Sequence, residues 1–126
     1  MNKDWEQFLI DAGAHQDDRG GWNFTDDDTA EVTDDNIICD LSHFSTVVIA
    51  GPDAVEFMQG QFTNDASLVD DSHSQISAFC NNKGRMVANF RLFTYQGNYF
   101  MSVRDSLVER SIGHLQNFVL SAQVAI

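Results

Sequence analysis

The order of hydrophobic periods along this chain predicts an α+β fold, antiparallel hairpins and helices alternating as β2-α-β3-α. Three observations carry that reading. Over residues 85–95 apolar residues recur with period two: Met86, Ala88, Phe90 and Leu92 on one face, and Arg85, Val87, Asn89, Arg91, Phe93 and Tyr95 on the other. Two turn signals bracket that stretch, Asn82-Lys83-Gly84 and Gln96-Gly97-Asn98. Residues 54–62 and 107–119 follow a 3.6-residue period instead. Short turns between strands fit antiparallel hairpins better than the long crossovers of a parallel sheet.

Each element has a local reason. Trp5, Phe8, Leu9 and Ala12 form one helical stripe, and Gly13 stops it. From His15 to Asn36 periodicity is lost. Gly20-Gly21 and Asp26-Asp27-Asp28 mark a solvated linker, which Trp22 and Phe24 could pin to the body. The chain is therefore divided into an acidic leader, 1–36, and a body, 37–126. Ile37 to His43 and Ser45 to Ala50 read as two strands. Gly51-Pro52-Asp53 opens a helix with Ala54, Phe57, Met58, Gln61 and Phe62 on one stripe, ending near Thr63-Asn64-Asp65. After the Asp70-Asp71-Ser72 loop, Ser74 to Asn81 is a strand in which Ile76, Ala78 and Cys80 alternate with Gln75, Ser77 and Phe79. The 85–95 strand follows, then one carrying Tyr99, Met101 and Val103. Ser106-Leu107-Val108-Glu109 has the form of a capping box. The helix it opens turns Leu107, Val108, Ile112, Leu115 and Val119 inward. Gln123 to Ile126 reads as the start of a further strand.

Composition narrows the function. A chain of 126 residues with 43% apolar and 11% aromatic residues makes one domain with one core. Net charge is −12. Residues 1–36 hold eleven acids against Lys3 and Arg19, and residues 37–126 hold eight against five bases. The acidity belongs mostly to the leader, and the overall sign argues against a duplex nucleic-acid surface. No apolar run reaches the roughly 18–20 residues of a membrane span, and no signal peptide is recognisable, which predicts a cytoplasmic protein. Cys39 and Cys80 form no C-x-x-C pair and are expected as buried free thiols, with a disulfide between them left open. The acidic triplet lacks the D-x-D-x-D-G calcium-loop spacing, and His15, His43, His73 and His114 show no ligand spacing. No catalytic set and no metal site can be picked out.

The informative feature is the polar face of the 85–95 strand. Two Arg and one Asn interleave with aromatics, a mixture suited to a flat, anionic, hydrogen-bonding ligand. On spacing alone, an ordinary half-exposed strand with two solvated Arg explains it at least as well.

Five segments in order then carry a resemblance: Cys39-Asp40-Leu41-Ser42-His43-Phe44; Gly51-Pro52-Asp53-Ala54; Phe57 to Asp65 (FMQGQFTND); Lys83-Gly84-Arg85-Met86; and Phe90-Arg91-Leu92-Phe93. Over about residues 37–126 the chain resembles the N-terminal part of the YgfZ family. That family is related to the glycine-cleavage T-protein, the folate-dependent aminomethyltransferase. The resemblance implies one β2-α-β3-α half of a folate-binding domain, with tetrahydrofolate as its ligand. The family's K-G-C-x-x-G-Q-E signature is absent from these residues. Folate-facing positions of the relatives fall on Phe44, Ile76, Asn89, Arg91 and Phe93. Asn89 stands where T-protein relatives carry an acidic residue, and an amide cannot serve as a carboxylate base. The resemblance thus favours a non-catalytic accessory protein aiding iron–sulfur cluster assembly or repair and, through it, tRNA modification. The alternatives are a T-protein-like aminomethyltransferase and a protein-docking module. Two cysteines cannot supply a cluster's usual four thiolates, so iron–sulfur proteins are expected as clients. Self-association through unpaired strands is a further expectation. Arg91 is read either as a partner of folate carboxylates or as a structural ion pair with Asp40 or Asp65. Lys83 and Arg85 meet a polyglutamate tail or a partner protein, or are simply solvated. Asn64-Asp65 forms a pocket wall or a helix-stopping turn.

Overall fold

A computed structural model describes residues 2–18, 20–24 and 39–126 of the chain. Two compact units are distinguished, 1–43 and 44–126.

In the first unit, helix α1 (Lys3–Asp11) begins where the Asn2 side chain accepts a hydrogen bond from the Asp4 N–H at 2.9 Å. Gly13, at φ 89°, follows its C-terminus. Along the helix, Trp5 stacks on Phe8 with ring centroids 5.2 Å apart, and Leu9 is buried. A small hairpin follows: β1 (His15–Gln16) pairs antiparallel with β2 (Trp22–Asn23). Asp17 organises its turn. Its N–H donates to Gly21 O at 2.8 Å, and its carboxylate accepts from the Gly21 N–H at 2.7 Å. Part of the segment expected as a solvated linker is therefore ordered by a side-chain turn. The Asp26-Asp27-Asp28 triplet lies outside the described residues.

The expected strand from Ile37 to His43 is not found. Ile37 and Ile38 lie outside the described residues, and residues 39–43 form no strand. Asp40 explains why. Its carboxylate accepts from Ser42 Oγ at 2.6 Å, the Ser42 N–H at 3.3 Å and Trp5 Nε1 at 2.8 Å, a local turn that competes with ladder pairing. Burial raises the Asp40 pKa, but the Ser42 and Trp5 hydrogen bonds outweigh it and the net shift is downward. Cys39 lies in this segment and is exposed, contrary to the expectation of a buried thiol. Cys80 is half-buried, and both are free.

The second unit is a four-stranded antiparallel sheet with helices on one face. Its strands are β3 (Phe44–Ile49), β4 (Gln75–Cys80), β5 (Met86–Tyr95) and β6 (Asn98–Arg104), in the order β3-β6-β5-β4. Helices α2 (Ala54–Gln61) and α3 (Val108–Gln116) supply the second layer. The core gathers Val47 and Ile49 from β3, Phe79 from β4, Ala88, Phe90 and Leu92 from β5, and Met101 and Val103 from β6. Phe57 and Met58 of α2 and Leu115 of α3 complete it. The apolar parity of β5 is therefore the core face, except at Met86. That residue is exposed because the β4·β5 register shifts at Phe79/Cys80 and takes the strand start out of phase.

Both hairpin turns form. Gly84 has φ 71°, and the Asn81 side chain accepts from the N–H groups of Lys83 and Arg85 at 2.9 and 3.0 Å. Gln96 and Gly97 both have positive φ, as a tight hairpin of this hand needs. The capping box does not form. Asp105–Leu107 is a 3₁₀ turn, α3 starts at Val108, and no side chain caps it. Asp105 is held instead by Ser45, whose hydroxyl donates to its carboxylate.

Two contacts bear on the sheet's edges. Beside β4, the Thr63 N–H donates to Ala78 O at 2.8 Å, Thr63 Oγ1 accepts from the Ala78 N–H at 3.1 Å, and Asn64 Nδ2 donates to Ile76 O at 2.6 Å. At the end of β3, Ala50 and Ala125 exchange backbone hydrogen bonds at 3.0 and 2.8 Å. The strand expected to begin at Gln123 thus meets the sheet at β3.

Candidate ligand face

Ladder register decides which side chains share a face, because directly opposed residues point the same way. Ile76 of β4 opposes Arg91 of β5, Arg91 opposes Ser102 of β6, and Ser102 opposes Thr46 of β3. That row lies opposite the core. Asn89 is two residues from Arg91 and opposes Ala78; Phe44 is two residues from Thr46; Phe93 is two residues from Arg91. Phe44, Ile76, Asn89, Arg91 and Phe93 therefore stand on one face, although they come from three strands and span 50 positions of sequence.

This face keeps substantial apolar surface open. Phe44 is 37% and Ile76 54% exposed, and Val48 and Tyr95 of the same parity are exposed as well. Phe93 opposes Phe100 and stacks on it, with centroids 5.5 Å apart and planes at 17°. Tyr95 meets Phe100 edge-on at 6.2 Å. Asn89 and Arg91 are exposed between these apolar groups. Arg91 Nη1 donates to Ser74 Oγ at 2.9 Å. Arg91 is held by Ser74 while the Asp65 carboxylate accepts from Ser67 and Gln59, and the structural ion pair considered between Arg91 and Asp65 does not form. Ser74 is the feature that strand periodicity did not flag: it stands just before β4 and fixes one edge of the guanidinium.

Lys83 and Arg85 are exposed at the β4–β5 turn. Asn64 lies along β4, as described above. Asp65 accepts from Ser67 Oγ at 2.5 Å and Gln59 Nε2 at 3.1 Å, and the Ser67 bonds lower its pKa. Both residues thus build the turn after α2. Among the described residues no cluster of three or more His, Cys, Asp or Glu is placed to hold a metal ion, and no helix is long and apolar enough to cross a membrane.

The chemistry of the face suits a flat heteroaromatic group: aromatic and aliphatic surface for its rings, an amide for its edge, and a guanidinium for an anionic end. Together, the four-stranded antiparallel sheet and the two helices on one of its faces define a class, the two-layer α+β domains. The comparisons with known proteins agree. Residues 7–125 match the model of the GCVT N-terminal domain, and the chain belongs to that family. The match takes in the second half of α1, from Gln7, and the acidic segment that follows it. A protein of Klebsiella pneumoniae (strain 342) called tRNA-modifying protein YgfZ is 31% identical over 86 residues, covering 68% of this chain and 26% of that protein. The YgfZ of Photorhabdus laumondii is 32% identical over 87 residues, with the same coverage. An aminomethyltransferase of Caldanaerobacter subterraneus is 31% identical over 64 residues, 51% of this chain and 17% of that one. The chain spans about a quarter of the length of the YgfZ relatives. The crystal structure of the glycine cleavage system aminomethyltransferase T of Bartonella henselae superimposes with a TM-score of 0.61 at 19% identity. It covers 67% of this chain and 24% of that one, and shares the fold.

Proposed function

We propose that this chain supplies the tetrahydrofolate-facing wall of a YgfZ-like accessory protein that works in the cytoplasm. In this reading the whole protein aids iron–sulfur cluster assembly or repair and, through it, tRNA modification. The observation that carries the proposal is the gathering of Phe44, Ile76, Asn89, Arg91 and Phe93 on the sheet face opposite the core. The pteridine and benzoyl rings lie against the aromatic and aliphatic groups, Asn89 meets the pteridine edge, and Arg91 meets carboxylate. Iron–sulfur proteins are the clients, and the names of the YgfZ relatives support the link to tRNA.

Asn89 separates this reading from the enzymatic one. A carboxylate near the reactive nitrogens of folate would accept a proton or offset developing positive charge, and an amide does neither. The test is aminomethyl transfer to tetrahydrofolate by the unaltered chain and by Asn89→Asp, measured beside tetrahydrofolate binding. Binding without transfer by the unaltered chain is expected. Transfer by the unaltered chain would replace this reading with the aminomethyltransferase one.

A further inference from the structure

The four strands of the sheet contain no Asp or Glu, in a chain that carries 19 of them. Their only charged residues are Arg91 and Arg104. Low β-propensity depletes acids from strands in general. It does not place both cations on the same face of adjacent strands, and here they share one. Arg91 opposes Ser102, and Arg104 lies two residues beyond Ser102. The two are diagonal cross-strand neighbours, about 7–8 Å apart at that register. Like charges at that separation repel, so the pair opposes folding slightly unless an anion joins it.

Both guanidiniums are also oriented. Ser74 Oγ accepts from Arg91 Nη1 at 2.9 Å, which leaves the other edge of the fork open. The Arg104 guanidinium carbon lies 5.8 Å from the centroid of the Phe44 ring, a cation–π contact on the aromatic part of the face. Both side chains are exposed.

We infer that Arg91 and Arg104 form a two-guanidinium subsite for a dicarboxylate, the glutamyl end of the folate, with Ser74 as a positioning residue for Arg91. This rests on the folate reading above and adds to it which end of the ligand lies where. Each guanidinium takes one carboxylate through a forked pair of charge-assisted hydrogen bonds. The same antiparallel register, continued by two residues, sets Arg104 level with Asn89, so the pteridine is directed away from β6, across β5 past Asn89 toward Ile76 on β4.

The test compares tetrahydropteroate, which lacks glutamate, with tetrahydrofolate carrying one and three glutamates. Affinities are measured by calorimetry on the unaltered chain, Arg91→Gln, Arg104→Gln, Ser74→Ala and Ser74→Thr. Both arginines are exposed, and amide spectra verify that each variant is folded. The glutamylated ligands are expected to bind at least about tenfold tighter than tetrahydropteroate, with that advantage shrinking as salt rises. Each Arg→Gln change removes most of the advantage, because the glutamylated ligands lose more affinity than tetrahydropteroate, which presents only its single benzoate carboxylate. Ser74→Ala removes part of it and Ser74→Thr restores it. If all three ligands bind equally, or the arginine variants weaken them equally, the subsite is overturned while the folate reading stands. If none binds, both fall.

Discussion

Phe93 and Phe100 stand directly opposite each other on the two central strands, stacked at 5.5 Å on the side of the sheet away from the core. Phe90, three residues before Phe93, points to the other side and is buried. Period-two alternation thus divides neighbouring aromatics of one strand between stability and the ligand face. Phe90→Ala is expected to destabilise the fold by about 3–5 kcal/mol through cavity formation. Phe93→Ala is expected to cost about 1–2 kcal/mol, since the ring is half-buried and gives up one stacking contact. Chemical denaturation gives the two stabilities. Tetrahydrofolate affinity should fall with Phe93→Ala beyond what its small destabilisation explains.

Gly51 joins β3 to α2 at φ +128°, and a Cβ there would lie 2.1 Å from Gln123 O. The adjacent Asp53 carboxylate accepts from the Gln123 N–H at 2.7 Å. The close approach and the left-handed backbone both demand glycine. Gly51→Ala should therefore destabilise by at least about 1–3 kcal/mol and break the Ala50–Ala125 bonds. Gly60 in α2 is the control: nothing lies within 4 Å of its ideal Cβ, and Gly60→Ala should stabilise by up to about 1 kcal/mol. Thermal denaturation with amide exchange at Ala50 and Ala125 reads both.

Two exposed loop carboxylates set an acid limit. The Ser67 hydroxyl and N–H lower the Asp65 pKa, and the Ser72 N–H, followed by His73, lowers that of Asp70. A depressed folded value means the contribution is complete above the unfolded pKa, near 3.9, and is lost as pH falls through the lower folded value. Carboxyl carbon shifts of both residues should titrate below the ordinary aspartate range. Asp65→Asn should flatten the acid limb of the stability curve. Titration of Asp65 at or above 3.9 would contradict the account.

How far the sequence was legible follows from the range of each determinant. The β5 face from Ala88 onward, both flanking turns and the α2 stripe are encoded within ten or so neighbouring residues and are readable; Met86 is not, because the register shift beside it depends on β4. The β1–β2 hairpin was missed because strands of two residues carry no period; its signal was Asp17 ahead of Gly20-Gly21. The strand expected from Ile37 to His43 does not form over its described part, residues 39–43, because Asp40 finds nearer donors in Ser42 and Trp5. Ser106 lies inside a 3₁₀ turn, so its capping pattern was coincidental. The Ser74–Arg91 bond and the diagonal placement of Arg104 depend on strand order and register, which no local pattern contains.

Titration of the 126-residue chain with tetrahydrofolate, followed by amide chemical shifts, tests the central claim most directly. The account predicts saturable shifts concentrated at Phe44, Ile76, Asn89, Arg91 and Phe93, with the buried positions of the same strands, Phe79, Phe90 and Leu92, moving far less. Saturable shifts centred on α2, α3 or the α1 unit, or no shifts at all, would contradict it.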